Sequence, residues 1–168
     1  MCLARLVAVF SAGLIAGILL GDRMGASFAR PALSPSSFVT FQQIQHAHFV
    51  RMMPILMGIV ILSSAAWLFR IRSSVRSTEF VFLAFAALAY LSVATLTGAV
   101  NVPINRELMT WDAASPPADA MAIWARWEQA HTARTFLAVV GFVLEVLAFG
   151  AAKNQRGAFD ANTRSSLS

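Results

Sequence analysis

The sequence predicts an all-α protein, a four-helix transmembrane bundle in which helices 2 and 4 are extended on the outer side. Three observations carry that reading. The 168 residues are 58% hydrophobic and only 12% charged, with a mean hydropathy of +0.66, far from the balance of a water-soluble domain. Apolar runs with few charges recur at 2–20, 49–69, 80–100 and 135–152, each close to the ~20 residues that a helix needs to cross the hydrocarbon. Lipid offers backbone groups no partners, so isolated spans without the short alternation of a membrane barrel must be helical. A single four-span domain therefore occupies 1–152, and the basic tail over 153–168 reads as disordered.

In the first span Gly13, Gly17 and Gly21 recur every fourth residue. Such a ridge lets a neighbouring backbone approach closely, so the span is expected to be retained rather than removed as a leader, although Ser27-Phe28-Ala29 would suit a cleavage site. The same ridge could instead dock a partner span or a second copy of the chain, which would make the protein a non-catalytic membrane subunit. Arg30-Pro31 and Ser34-Pro35 then rule out a continuous helix and predict a connector. From Ser36 the helical pattern resumes, with Phe38, Phe41, Ile44 and Phe49 on one side and Gln42, Gln43, Gln45, His46 and His48 between them. Pro54 lies inside the second span and should bend it or free a carbonyl, which favours a polar pocket beside His48 and Arg51. His46 and His48 diverge by about 200° on a helix and cannot both hold one ion; two exposed histidines on an interfacial turn are the plainer reading.

The third span presents Tyr90, Ala94, Thr97 and Asn101 on one side. Tyr90 should sit near mid-membrane and Glu145, in the fourth span, within about a turn of the same depth. A hydrogen bond from Tyr90 to a neutral, protonated Glu145 is the expected structural solution, and a proton-handling carboxyl is the functional alternative. At Asn101-Val-Pro-Ile-Asn105 the proline should stop the helix, leaving two amides to cap the backbone or face a ligand. Ser115-Pro-Pro-Ala-Asp119 is a helix start, so the last helix should run from about Pro117 to Ala152 and project beyond the membrane.

Charge distribution predicts orientation. With the N-terminus inside, the inner side holds seven basic residues, including the short turn of Arg70, Arg72 and Arg76, against two acidic ones; the outer side holds six against five. The basic turn favours N-in and C-in, in a plasma or inner membrane. The lone Cys2 excludes an intrachain disulfide. Basic residues flank spans without any groove-reading motif, which excludes nucleic acid as a partner and leaves lipid.

The polar groups gather at the outer mouth. On an ideal helix Trp124, Trp127, His131, Arg134, Phe142 and Glu145 fall within roughly 60° of His131. The tryptophans could belong to an interfacial belt with His131 and Arg134 reaching to headgroups. Grouped with His48, Arg51, Asn101 and Asn105, however, they suit a flat, hydrophobic, acidic molecule: rings stack on indole, guanidinium holds an oxyanion and imidazole moves a proton.

The Gly-rich first span, Phe38-Val-x-Phe-Gln-Gln with Pro54, Asn101-x-Pro-x-Asn105, and Trp127-x3-His131-x2-Arg134 together resemble the anthrone-oxygenase-like family of small four-span membrane proteins. The resemblance covers nearly the whole chain except the tail. It implies oxidation of an anthrone to an anthraquinone by O₂ without a cofactor, and carries Asn101, Asn105, Trp127, His131 and Arg134 into the site. His48 or His131 would be the base and Arg51 or Arg134 the oxyanion partner; His46, His48, Trp124 and Glu145 rest on the residues alone. The rival reading is a metal or haem protein using His46 or His48 with Glu128 and His131, since Glu128-x-x-His131 sets a carboxylate and an imidazole one turn apart.

Overall fold

The computed structural model describes the backbone from Cys2 to Ser165 and the side chains of residues 3–152; the tail of 153–168, expected to be disordered, lies outside the fully described residues. All regular structure among the described residues is helical. Four helical segments are long and apolar enough to cross a membrane: 3–32, 35–70, 78–108 and 120–152.

Helix α1 (Cys2–Met24) ends where Gly25 donates its N–H back to Gly21 O at 2.9 Å. A β-carbon on Gly25 would lie 3.1 Å from that same oxygen, so the small residue lets the chain turn. The expected connector follows as a short α2 (Ala26–Ala29) and a 3₁₀ turn, Arg30–Ala32. Ser34 then caps α3 (Pro35–Arg70), accepting the Ser37 N–H, with Pro35 in the first turn where no donor is missed. Pro54 is accommodated within α3. After a basic turn, Ser77 caps α4 (Thr78–Leu96) by accepting from Phe80 N.

Pro103 does not stop the third span. A π-helical turn, Thr97–Asn101, joins α4 to α5 (Val102–Leu108), and Pro103 sits in the first turn of α5. The wider turn takes up the clash that a proline ring makes with the carbonyl four residues back. The last helix, α6 (Ala120–Ser165), starts three residues later than Pro117. The two prolines supply no N–H, and Pro117 O is taken by a turn from Ala120 N at 3.1 Å.

Helix α6 packs along α4 and α1, α1 packs on α3, and the shared seam of α3 and α4 is shorter. Three apolar layers result: Ala8, Trp67, Leu83 and Ala148 at one end; Ile15, Leu19, Val60, Tyr90 and Val93 in the middle; Phe38, Ile104, Leu108, Trp111, Trp124 and Trp127 at the other. Phe10, Leu62, Phe85, Leu88 and Phe136 remain exposed, as a lipid-facing surface requires. Gly13 packs against Phe142, but β-carbons on Gly17 and Gly21 would meet nothing, so only the first glycine of the ridge serves packing within the chain.

Arg5 and Glu79, which belong to the seven basic and two acidic residues counted on the inner side, are instead buried together: Arg5 Nη2 lies 2.5 Å from Glu79 Oε1, which also accepts from Trp67 Nε1 at 2.7 Å. In the middle layer Tyr90 and Glu145 are both fully buried but do not bond to each other. The Tyr90 ring lies over Gly141, where a β-carbon would approach it to 2.7 Å, a helical turn before Glu145. Glu145 Oε1 is bonded to Ser64 Oγ instead, while Ser64 also donates to Val60 O at 2.7 Å.

Candidate functional site

The polar end is built around Arg30, a residue the sequence offers only as part of a connector. The break at Gly25 and the short α2 fold Arg30 back into the bundle, where it is 2% exposed. Its Nε donates to Gln42 Oε1 at 2.9 Å; Nη1 donates to Ser27 Oγ at 3.0 Å and Glu128 Oε1 at 2.8 Å. Nη2 reaches both oxygens of Asp22, at 2.7 and 2.9 Å, and Gln45 Oε1 at 2.9 Å. Gln45 Nε2 returns a bond to Asp22 Oδ1 at 2.8 Å, and Trp124 Nε1 donates to Glu128 at 3.1 Å. Residues of α1, α2, α3 and α6 are thus tied together by one guanidinium. Two carboxylates offset two cations, Arg30 and Arg134, which lowers the cost of burying each.

Asp22 leads to the second cation. Asp22 Oδ2 lies 3.0 Å from His131 Nε2, although the approach is too poorly aligned for a good hydrogen bond. On the other edge of the ring, Arg134 Nε donates to His131 Nδ1 at 3.2 Å. An accepting Nδ1 places the imidazole proton on Nε2, facing the carboxylate. Arg134 Nη1 also contacts Thr97 Oγ1 at 3.3 Å, on the π-helical turn. The indoles complete the wall: Trp124 and Trp127 stack at 4.3 Å between centroids, and Trp127 lies within cation–π range of both Arg30, at 5.4 Å, and Arg134, at 5.1 Å.

Part of this network lines the polar end of a cavity of about 510 Å³, with Arg30, Ser27 and Glu128 behind its wall. Its walls include Asp22, Gln42, Gln45, His46, Asn105, Trp124, Trp127, His131 and Arg134, and its apolar part is made by Ile18, Leu19, Met53, Met57, Ile61 and Val93. That volume falls inside the range of about 300–1,000 Å³ typical of small-molecule sites. His131, Arg134, Trp124, Trp127, Asn105 and His46 are brought together as a cavity lining. Asn101 is not in it: fully buried, its Nδ2 donates to Trp127 O at 3.2 Å and so holds the π-helical turn against α6. His48 and Arg51 are exposed and away from the cavity, because α3 turns them to a different face from His46; His48 Nδ1 bonds Ile44 O at 2.8 Å. Tyr90 and Glu145 lie deeper in the bundle and outside the lining.

The four side chains of the metal alternative are not assembled. His48 faces away, and Glu128 is spent on Arg30, Ser27 and Trp124. No group of three or more His, Cys, Asp or Glu among the described residues could hold an ion. Sequence reasoning missed Asp22, Arg30, Gln42 and Gln45 as site residues. Asp22 did carry a signal: an acid in the last turn of a helix faces the negative end of the macrodipole and calls for a cation nearby.

A four-helix membrane protein with a deep cavity, closed at one end by a buried ion network and stacked indoles, is the class these features define. The chain belongs to the anthrone oxygenase family, whose model matches residues 41–144, more than half of its length. Comparison with curated proteins gives no significant match, and neither does comparison with solved structures. The family segment holds the α3, α4, α5 and α6 walls of the cavity, whereas Asp22 and Arg30 precede it.

Proposed function

We propose that this protein is an oxygenase for a small, flat, hydrophobic aromatic ketone of the anthrone class, working with O₂ and without a bound metal or organic cofactor. The observation that carries the reading is the cavity: apolar over most of its depth, large enough for fused rings, and ending in a guanidinium stacked on an indole. An anthrone has an acidic methylene because its conjugate base is an aromatic oxyanion. A cavity base takes that proton, and Arg134 holds the developing oxyanion with N–H groups left over from His131 and Thr97.

The electron-rich anion passes one electron to O₂, and the two radicals combine to form a carbon–oxygen bond. The base returns its proton to the peroxide, and loss of the second methylene hydrogen together with the distal OH, as water, leaves the quinone carbonyl. One oxygen atom therefore enters the product and one becomes water. The fused rings lie against Trp127 and Trp124, and Asn105 orients the carbonyl. We place the protein in a plasma or inner membrane with both termini inside, which puts the cavity at the outer face.

O₂ uptake by the purified protein with an anthrone tests the reading. Expected are equal consumption of anthrone and O₂ and one labelled oxygen atom in the quinone from ¹⁸O₂. Arg134→Ala should lower kcat by about 10²–10³, as loss of an oxyanion partner does. Absence of uptake across a panel of anthrones removes the enzyme from consideration.

A further inference from the structure

The oxygenase reading needs a base, and the two imidazoles of the cavity are not equivalent. His131 offers the cavity no free acceptor: Nδ1 accepts from Arg134 Nε, which leaves the ring proton on Nε2, the edge that lies 3.0 Å from Asp22 without a well-aligned bond. It has no lone pair free for a proton from the cavity unless Arg134 leaves, and Arg134 is the group the oxyanion needs. Asp22 is no better placed, because Arg30, Gln45 and His131 approach both of its oxygens.

His46 differs. It lines the same cavity from α3, half-buried, and hydrogen bonds to histidine rings among the described residues are confined to His48 and His131. Its lone pair is therefore open to a ligand. Opposite, the titratable and charged groups that share the cavity are Asp22 on α1 and His131 and Arg134 on α6; α4 and α5 present none.

We propose that His46 is the catalytic base that removes the methylene proton, and that His131 is a positioning residue, held by Asp22 and itself fixing Arg134 for the oxyanion. This rests on the oxygenase reading and assigns its chemistry to particular atoms. The C–H bond breaks toward the free imidazole nitrogen of His46, and its electron pair moves through the ring system to the oxygen facing Arg134. Proton transfer leaves the net charge of the site unchanged: Arg30 and Arg134 balance Asp22 and Glu128, and protonated His46 balances the new anion.

Anaerobic titration with an anthrone separates the two steps, because the anthrone anion absorbs in the visible and forms before O₂ is needed. Wild-type protein should show the anion band at neutral pH, and His46→Gln should bind the anthrone without producing it. With O₂, His46→Gln should lose about 10²–10⁴ in kcat, the range of a general base. That loss should shrink as the pH rises toward the acidity of the anthrone itself, since the substrate then arrives ionised. His131→Gln should raise KM for the ionised substrate, and high pH should not rescue it. An anion band in His46→Gln equal to wild type overturns the assignment, as does pH rescue confined to His131→Gln. A wild-type band that His46→Gln abolishes, with no O₂ uptake, would remove the oxygenase reading while leaving His46 as the group that deprotonates the anthrone. No band in wild type overturns the assignment as well.

Discussion

Arg30 spends every guanidinium N–H on a partner that is itself buried or half-buried. Removing it leaves Asp22 and Glu128 without the cation that bridges them. Arg30→Ala should therefore cost about 3–5 kcal/mol, the usual loss when one partner of a buried pair is deleted. Arg30→Lys should recover little of it, because an ammonium has no planar fork to bridge Asp22, Gln42 and Glu128 at once. Thermal unfolding in detergent measures both, and near-wild-type stability of Arg30→Ala would show that the network contributes nothing net. At this scale much of the cavity lining was legible. A helical period puts Trp124, Trp127, His131 and Arg134 on one face, and the structure keeps them there. His48 and Arg51 were misplaced because proximity in sequence to Pro54 said nothing about which side of α3 faces inward.

Among the elements, α4 and α6 meet where Tyr90 covers Gly141. The glycine is required by close approach, since an added β-carbon would come within 2.7 Å of a fully buried ring. Gly141→Ala should cost about 1–3 kcal/mol by overpacking. Gly17→Ala, where a β-carbon meets nothing, should leave stability within about 0.5 kcal/mol. Equal effects at the two sites would contradict the packing described. The π-helical turn belongs to the same scale. Pro103 is visible in the sequence as a helix breaker, but whether a proline ends a helix or is absorbed by a wider turn depends on the neighbour that holds it, here α6 through Asn101 and Trp127 O.

For the whole molecule, two buried ionic contacts at opposite ends of the bundle fasten α1 to the rest: Arg5 with Glu79 on α4, and Asp22 with Arg30 and His131. A double-mutant cycle at the first should find Arg5→Met or Glu79→Leu each strongly destabilising and the pair together much less so, because the penalty lies in leaving one charge buried alone. Additive losses would mean that the two charges do not feel each other. The cavity lies at the other end, so this cycle should change stability and leave ligand binding in the cavity near wild type.

Hydropathy determined the class and the four spans, because the cost of exposing backbone or charge to lipid acts on each segment separately, and the two prolines determined the connector at Arg30 to Pro35. Hydropathy also announced which end of the bundle is polar. Pairings were decided only in three dimensions. Glu145 meets Ser64 rather than Tyr90, His46 and not His48 faces the cavity, and a connector arginine becomes the hub of four helical segments. A buried charge is satisfied by whichever opposite group the packing brings within reach. That choice depends on helix rotation and on the turn at Gly25, neither of which is written in the composition of any one span.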